Sequence, residues 1–169
     1  MTIQRTLFIS IFLVCLGLML FGLYLEHVQG LEPCPLCVFQ RIAYITVGII
    51  ALIASIHGPK QLFTRIYAIL IGITAIGGIV IAGRQVWLQH LPEDQVPACG
   101  PGLEYMLEVF PLAEAIPMIF EGSGECAEVQ WTFLGFSIAE WSLVMFTTII
   151  LTSLVMVFYK DAVQQNRIV

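Results

Sequence analysis

Two cysteines lie three positions apart in the segment Cys34-Pro35-Leu36-Cys37, on a short polar connector between two long apolar runs. A pair at this spacing can form and break a disulfide, and the reactive form in such exchange is the thiolate. Pro35 suits the first position of a helix, which places Cys37 in the first turn, where the helix dipole favours negative charge. The spacing therefore predicts a redox-active pair at the end of a membrane helix, with Cys37 as the better thiolate.

Arg41 follows Cys37 by four residues, and side chains at that spacing share one face of a helix. Its guanidinium can approach the sulfur of Cys37, or an anion beside it, and stabilise a developing negative charge. The alternative is that Arg41 only extends from an apolar helix to the membrane interface. For Arg84, this interfacial position is the favoured interpretation.

A second cysteine pair, Cys99 and Cys126, is separated by 26 residues in the other long polar segment. Four cysteines permit three pairings, and the sequence does not choose among them. One alternative is a purely structural disulfide, and another is a zinc site formed by all four cysteines. We favour redox use without a metal, because a mobile pair near a reactive one allows thiolate to pass from one disulfide to the other. Cys15 lies in mid-span and is expected to be inert.

The elements that position these cysteines are membrane helices. The chain of 169 residues is 59% hydrophobic and 11% charged, with a mean hydropathy of +0.92, which indicates an integral membrane protein. Uncharged runs and their flanks predict an all-α bundle of four transmembrane helices, over about 6–25, 35–57, 65–87 and 138–159. We expect a single domain over 1–169, with two exterior loops over about 26–34 and 88–137. The second loop should contain local helices, including a short surface helix over 112–120.

The charged residues divide between the two sides of the predicted bundle. Lysine and arginine mark the side that stays in the cytoplasm, and that side carries Arg5, Lys60, Arg65, Lys160 and Arg167. Both termini are therefore expected in the cytoplasm, and both cysteine-containing loops in the exterior compartment, where disulfides persist. The exterior side is acidic, which argues against a nucleic-acid partner.

Sustained oxidation of a substrate needs an electron acceptor, since two disulfides alone would be exhausted after two turnovers. The sequence contains no dinucleotide-binding fingerprint and no haem-attachment motif. Lipid-soluble quinones occupy the membrane border near Cys37, and Arg41 is well placed for the negative charge of a reduced ring. A quinone is therefore the predicted acceptor.

Two segments of the chain are distinctive: Pro33-Cys34-Pro35-Leu36-Cys37-Val38-Phe39-Gln40-Arg41 and Ser123-Gly124-Glu125-Cys126-Ala127-Glu128-Val129-Gln130-Trp131. Both resemble the family of disulfide bond formation protein B (DsbB). The resemblance covers essentially the whole chain. It implies a multi-pass protein of the bacterial inner membrane, with the cysteine loops in the periplasm, that reoxidises a thioredoxin-fold disulfide donor of the DsbA type.

The resemblance also implies a role for each site residue. The reduced donor attacks Cys99, forming a mixed disulfide and freeing Cys126, and Cys126 then attacks Cys34. Cys37 is released as thiolate and passes electrons to bound ubiquinone or menaquinone, with Arg41 helping to hold the quinone.

Two other functions fit parts of the sequence. A quinone reductase of the vitamin K epoxide reductase type would have its reactive pair near the fourth span, whereas here the pair begins the second. A tetraspan scaffold with structural disulfides would leave every cysteine unchanged when quinone and a reduced donor are supplied.

Overall fold

The computed structural model describes residues 3–97, 111, 117 and 124–165. Cys99 lies outside these residues, as does all but Pro117 of the surface helix expected over 112–120. Both features therefore stay predictions.

Four long helices dominate the described chain: α1 (Ile3–His27), α2 (Pro35–His57), α3 (Gln61–Gln89) and α5 (Ile138–Gln165). The shortest, α2, has 23 residues, which at about 1.5 Å each gives roughly 35 Å, enough to cross a hydrocarbon core. Each contains an 18-residue window with a mean hydropathy of at least 2.1. The prediction of an all-α bundle with four membrane-spanning helices is confirmed.

The start of α2 depends on the residues that precede and open it. Cys34 has extended backbone angles (φ −66°, ψ 161°), and its sulfur accepts a hydrogen bond from the backbone N–H of Cys37 at 3.3 Å. Pro35 fills the first helical position, where its missing N–H costs nothing. The helix ends at His57, and the following Gly58 has a left-handed φ of 56° and donates its N–H to the carbonyl of Ala54. The cysteine pair is thus fixed by the helix terminus.

The helices pack in chain order, with α1 on α2, α2 on α3 and α3 on α5, whereas α1 and α5 make little contact. Small residues on α3 allow close approach to its neighbours, including the fully buried Ala68, Ala75 and Ala82. At Gly78, a methyl group would overlap the buried ring of Phe146 on α5, so this crossing requires glycine. The weak α1–α5 contact leaves space at one side of the bundle.

Between α3 and α5 the structure has a 3-10 turn (Glu93–Gln95), a short helix α4 (Gly124–Ala127) and a β-hairpin, β1 (Thr132–Phe133) and β2 (Phe136–Ser137). We expected local helices in this segment, and the hairpin is an addition to that expectation. Its strands are antiparallel, and Leu134 and Gly135 form the two-residue turn with φ of 54° and 84°. Positive φ at both positions matches the twist of paired strands.

The start of α5 follows directly from the hairpin. The Ser137 hydroxyl accepts the Glu140 N–H at 3.3 Å, while the Glu140 carboxylate accepts the Ser137 N–H at 2.6 Å, a reciprocal capping box. Trp141 donates its indole N–H to the Phe133 carbonyl at 3.1 Å. These bonds fix the hairpin against the end of the bundle that contains Cys34, which we call the cysteine end.

Candidate active site

Cys34 and Cys37 lie at the N-terminus of α2 with their sulfur atoms 2.7 Å apart. Both are free thiols. Cys34 is buried, with 5% of its surface exposed, and Cys37 is half-buried. The pair identified from its spacing is therefore assembled in the structure, close enough to form a disulfide with a small movement of either side chain.

Cys126 reaches the same place from α4. It is fully buried, and it packs in one cluster with Cys34, Leu36 of α2 and Leu88 of α3. A hydrogen bond with the Cys126 thiol, another with Cys37, and burial raise the pKa of the Cys34 thiol. Cys34 is therefore held as a neutral sulfur between two other sulfurs, which suits a sulfur that is attacked rather than one that attacks.

Cys99 lies outside the described residues, so its pairing with Cys126 stays a prediction. Among the residues that the structure describes, no three histidine, cysteine or acidic side chains are arranged to hold a metal ion. A zinc site would need Cys99 as its fourth ligand.

Two glutamines beneath the thiols were missed by sequence reasoning. Gln40 of α2 and Gln85 of α3 are each 4% exposed. Gln40 donates its side-chain N–H to the Gln85 carbonyl oxygen at 2.6 Å, and the Gln85 Nε2 lies 3.2 Å from the sulfur of Cys37. A polar residue inside an apolar span is the signal that would have identified them.

Arg41 lies one turn below Cys37 and forms an ion pair with Glu26 of α1. Its Nη2 also donates to the Gly22 carbonyl at 3.2 Å. The structure therefore holds the guanidinium between α1 and α2 with its side chain 23% exposed. Arg84, by contrast, stacks on Trp87 at 4.3 Å from the ring centre.

A cavity of about 490 Å³ occupies the space between α1, α2, the hairpin and α5. This volume is within the range of small-molecule sites. Its walls are mainly apolar. Cys37, Gln40 and Arg41 line it from the first two turns of α2, which we call its polar end, and Glu32 and Gln130 line it as well. The predicted neighbourhood of Cys37 and Arg41 on one helix face is present, since both side chains reach this cavity.

Aromatic side chains cover the cavity at the cysteine end. Trp131 and Phe133 stack in parallel at 6.1 Å between ring centres, and Trp131 meets the ring of Phe21 on α1 edge-on at 5.4 Å. Trp141 from α5 lies 6.0 Å from Phe133. The hairpin thus bridges the gap between α1 and α5.

A second opening, of about 40 Å³, reaches Cys34 and Cys37 from a different direction. Acidic side chains border it, from Glu32, Glu125 and Glu128. Cys37 therefore lines both the apolar cavity and this small polar crevice, whereas Cys34 lines only the crevice of the two.

Comparison with known proteins gives one consistent result. A family model described as disulfide bond formation protein DsbB matches residues 4–156. A protein of Hahella chejuensis named disulfide bond formation protein B is 57% identical over 143 residues, which is 85% of this chain and 87% of that protein. Proteins of the same name from Azoarcus sp. and Acinetobacter baumannii are 51% and 50% identical, over 92% and 83% of this chain and 93% and 82% of their own lengths.

Proposed function

The chain belongs to the disulfide bond formation protein B family, and on that premise we propose that it is a quinone-linked protein thiol oxidase. The family name supports disulfide oxidation at a membrane, and the proposal adds the electron acceptor and the donor. The overall reaction is dithiol plus quinone to disulfide plus quinol. The observation that carries the proposal is that Cys37 contacts Cys34 at 2.7 Å while also lining the apolar cavity.

The cavity fits a quinone in size and chemistry. Its volume of about 490 Å³ and apolar walls suit a ring with part of an isoprenoid tail. Arg41 and Gln40 would hold the ring oxygens at the polar end, and Trp131 and Phe133 would cover the ring and exclude water. A bound ubiquinone or menaquinone would supply a two-electron acceptor that takes up two protons.

We assign the four cysteines to a sequence of exchanges. A donor thiolate attacks Cys99 of a Cys99–Cys126 disulfide, and the broken bond leaves Cys126 as thiolate. Cys126 attacks Cys34, forming a Cys34–Cys126 bond and releasing Cys37 as thiolate. The second donor thiol then resolves its mixed disulfide with Cys99, and Cys99 recovers Cys126, which leaves Cys34 and Cys37 reduced with the two electrons of the donor.

The contact between Cys126 and Cys34 supports the middle step. Cys126 is buried against Cys34, so the new bond requires little movement within the cluster. Cys37, the leaving sulfur, is the one that lines the cavity. The exchange therefore delivers negative charge to the cavity side of the pair.

The proposed compartment follows from charge and access. Of the cations assigned to the cytoplasmic side, the four that the structure describes lie at the opposite ends of the spans from the cysteine pair, namely Arg5, Lys60, Arg65 and Lys160. The polar crevice at the cysteine end is acidic. We infer an inner-membrane protein with cytoplasmic termini, whose cysteine loops meet a thioredoxin-fold donor of the DsbA type in the periplasm.

Reduction of a short-chain quinone by the purified protein, supplied with a reduced thioredoxin-fold donor, tests the function. Each of the five cysteines is changed to alanine in turn. Activity should be lost at Cys34, Cys37, Cys99 and Cys126 and kept at Cys15, which is buried between α1 and α2. Full quinone reduction by Cys37→Ala would contradict the proposed route. If every cysteine of the wild type stays unchanged when quinone and reduced donor are supplied, the protein is a scaffold with structural disulfides.

A further inference from the structure

Gln40 and Gln85 are buried amides on neighbouring membrane helices. Each exposes 4% of its surface, and a buried amide destabilises a membrane helix unless its polar atoms are hydrogen-bonded. The Gln40 Nε2 donates to the Gln85 Oε1 at 2.6 Å. This bond joins α2 to α3 directly below the thiol pair.

The Gln40 bond also decides which way the Gln85 amide faces. With its oxygen directed to Gln40, Gln85 places its Nε2 3.2 Å from the sulfur of Cys37 and 3.4 Å from that of Cys34. An amide nitrogen can only donate. The Gln85 amide therefore directs its N–H groups at the two sulfurs, and its hydrogen bond with Gln40 prevents it from rotating.

A donor at this position acts most strongly on a sulfur that carries charge. In the Cys34–Cys37 disulfide neither sulfur is charged. When a thiolate attacks Cys34, the electron pair of the broken bond goes to Cys37, and no net oxidation occurs in that step. Hydrogen bonds to charged groups are about twice as strong as those between neutral groups, so the Gln85 amide stabilises the cleaved state more than the disulfide.

From this geometry we propose that Gln85 is a positioning residue that stabilises the Cys37 thiolate, and that Gln40 orients its amide. Arg41 makes no hydrogen bond with either sulfur in the described part of the chain; its guanidinium bonds Glu26 and the Gly22 carbonyl. The inference rests on the proposed function in one respect: the Cys37 thiolate forms when another thiolate attacks Cys34. It adds Gln85 to the four cysteines and Arg41, and it gives Gln40 a second role.

The test compares Gln85→Met with Gln89→Met. Methionine keeps the length of the side chain and removes the donor. Gln89 lies one turn further along α3 and accepts a hydrogen bond from Ser137 at 2.8 Å. It borders the same crevice as the two sulfurs but makes no hydrogen bond with either of them, so its variant also controls for a change in access. The full-length protein is reduced, and the alkylation of Cys37 by iodoacetamide is followed against pH by peptide mass spectrometry.

In Gln85→Met, Cys37 alkylation at neutral pH should fall about tenfold or more, since hydrogen bonds to charged groups have roughly this effect on an equilibrium. The pH midpoint should move up by about one unit. The Cys34–Cys37 disulfide should also resist reduction, because a less stable thiolate makes the pair less oxidising. About a tenfold higher ratio of dithiothreitol to its oxidised form should be needed to reduce half of the pairs.

Two further variants keep the inference open to refutation if Gln85→Met folds poorly. Gln85→Glu still accepts the Gln40 bond but replaces the donor with a second acceptor, and it should slow Cys37 alkylation at least as much. Gln40→Met frees the Gln85 amide to rotate and should give a smaller change in the same direction. The inference would be overturned if Cys37 alkylation in the Gln85 variants depended on pH in the same way as in Gln89→Met.

These measurements need no quinone and no donor protein. Failure of the proposed function would appear as a wild type that does not reduce quinone when supplied with a reduced donor. Failure of the present inference would appear as an unchanged alkylation profile and an unchanged dithiothreitol ratio in the Gln85 variants, whatever the wild type does with quinone.

Discussion

Replacement of Arg41 by methionine distinguishes a quinone-binding arginine from one that only reaches the membrane interface. The guanidinium lies at the polar end of the cavity, paired with Glu26 and bonded to the Gly22 carbonyl at 3.2 Å. Both roles require the cation at this depth. Only the first requires it to contact the ligand.

The two roles predict effects of different size. A hydrogen bond from a charged donor contributes about 1.5–3 kcal/mol, so the apparent KM for a short-chain quinone should rise roughly 10- to 100-fold in Arg41→Met. The ion pair itself is partly solvated, with side-chain exposures of 23% and 30% for Arg41 and Glu26, and such pairs contribute at most about 1 kcal/mol to folding. The thermal stability should therefore change little while quinone binding weakens strongly.

Arg84→Met is the matched control, because Arg84 stacks on Trp87 and does not line the cavity. Steady-state quinone reduction with a reduced donor gives KM and kcat for both variants. The double variant Arg41→Met with Glu26→Gln removes the carboxylate that the single change leaves unpaired. A KM that stays raised in the double variant assigns the effect to the guanidinium, whereas equal KM values in Arg41→Met and Arg84→Met would refute quinone binding by Arg41.

Three further changes test other parts of the site and fold. In Cys37→Ala, non-reducing peptide mapping should show a Cys34–Cys126 disulfide, because these sulfurs are already in contact, and an unpaired Cys34 would contradict the relay. The raised pKa of Cys34 keeps its thiol neutral near pH 7. Alkylation of Cys34 in the reduced protein should therefore be slow at pH 7 and increase only in alkaline solution. A rate at pH 7 like that of free cysteine would refute the raised pKa. Gly78→Ala should lower stability by about 1–3 kcal/mol through overlap with an aromatic ring of α5, while Gly77→Ala, which meets open space, should leave thermal unfolding in detergent unchanged.

The four spans were predictable because hydropathy and helix termini are local properties of a sequence. Uncharged runs identified each span, and the start of the second at Pro35 matches the bounds of α2. The proximity of Cys37 and Arg41 followed from helical spacing alone. These predictions needed no knowledge of which helix packs against which.

The remaining features depend on contacts between distant segments. Gln40 and Gln85 are 45 positions apart, and only the packing of α2 on α3 brings their amides together. The sequence leaves three pairings of the four exterior cysteines open, and the position of α4 places Cys126 beside Cys34. The hairpin has strands of two residues each, too short to give a recognisable alternation of apolar and polar residues.

The hairpin and the cavity have a common physical origin in the order of helix packing. Since α1 and α5 make little contact, space remains between them, and Trp131 with Phe133 covers that space at the cysteine end. Cys37 lines the mainly apolar cavity below, and the crevice bordered by Glu125 and Glu128 reaches both Cys37 and Cys34. Cys37, at the N-terminal end of α2, therefore lies where the apolar cavity and the acidic crevice adjoin, and the proposed function would use the cavity for the acceptor and the crevice for the donor.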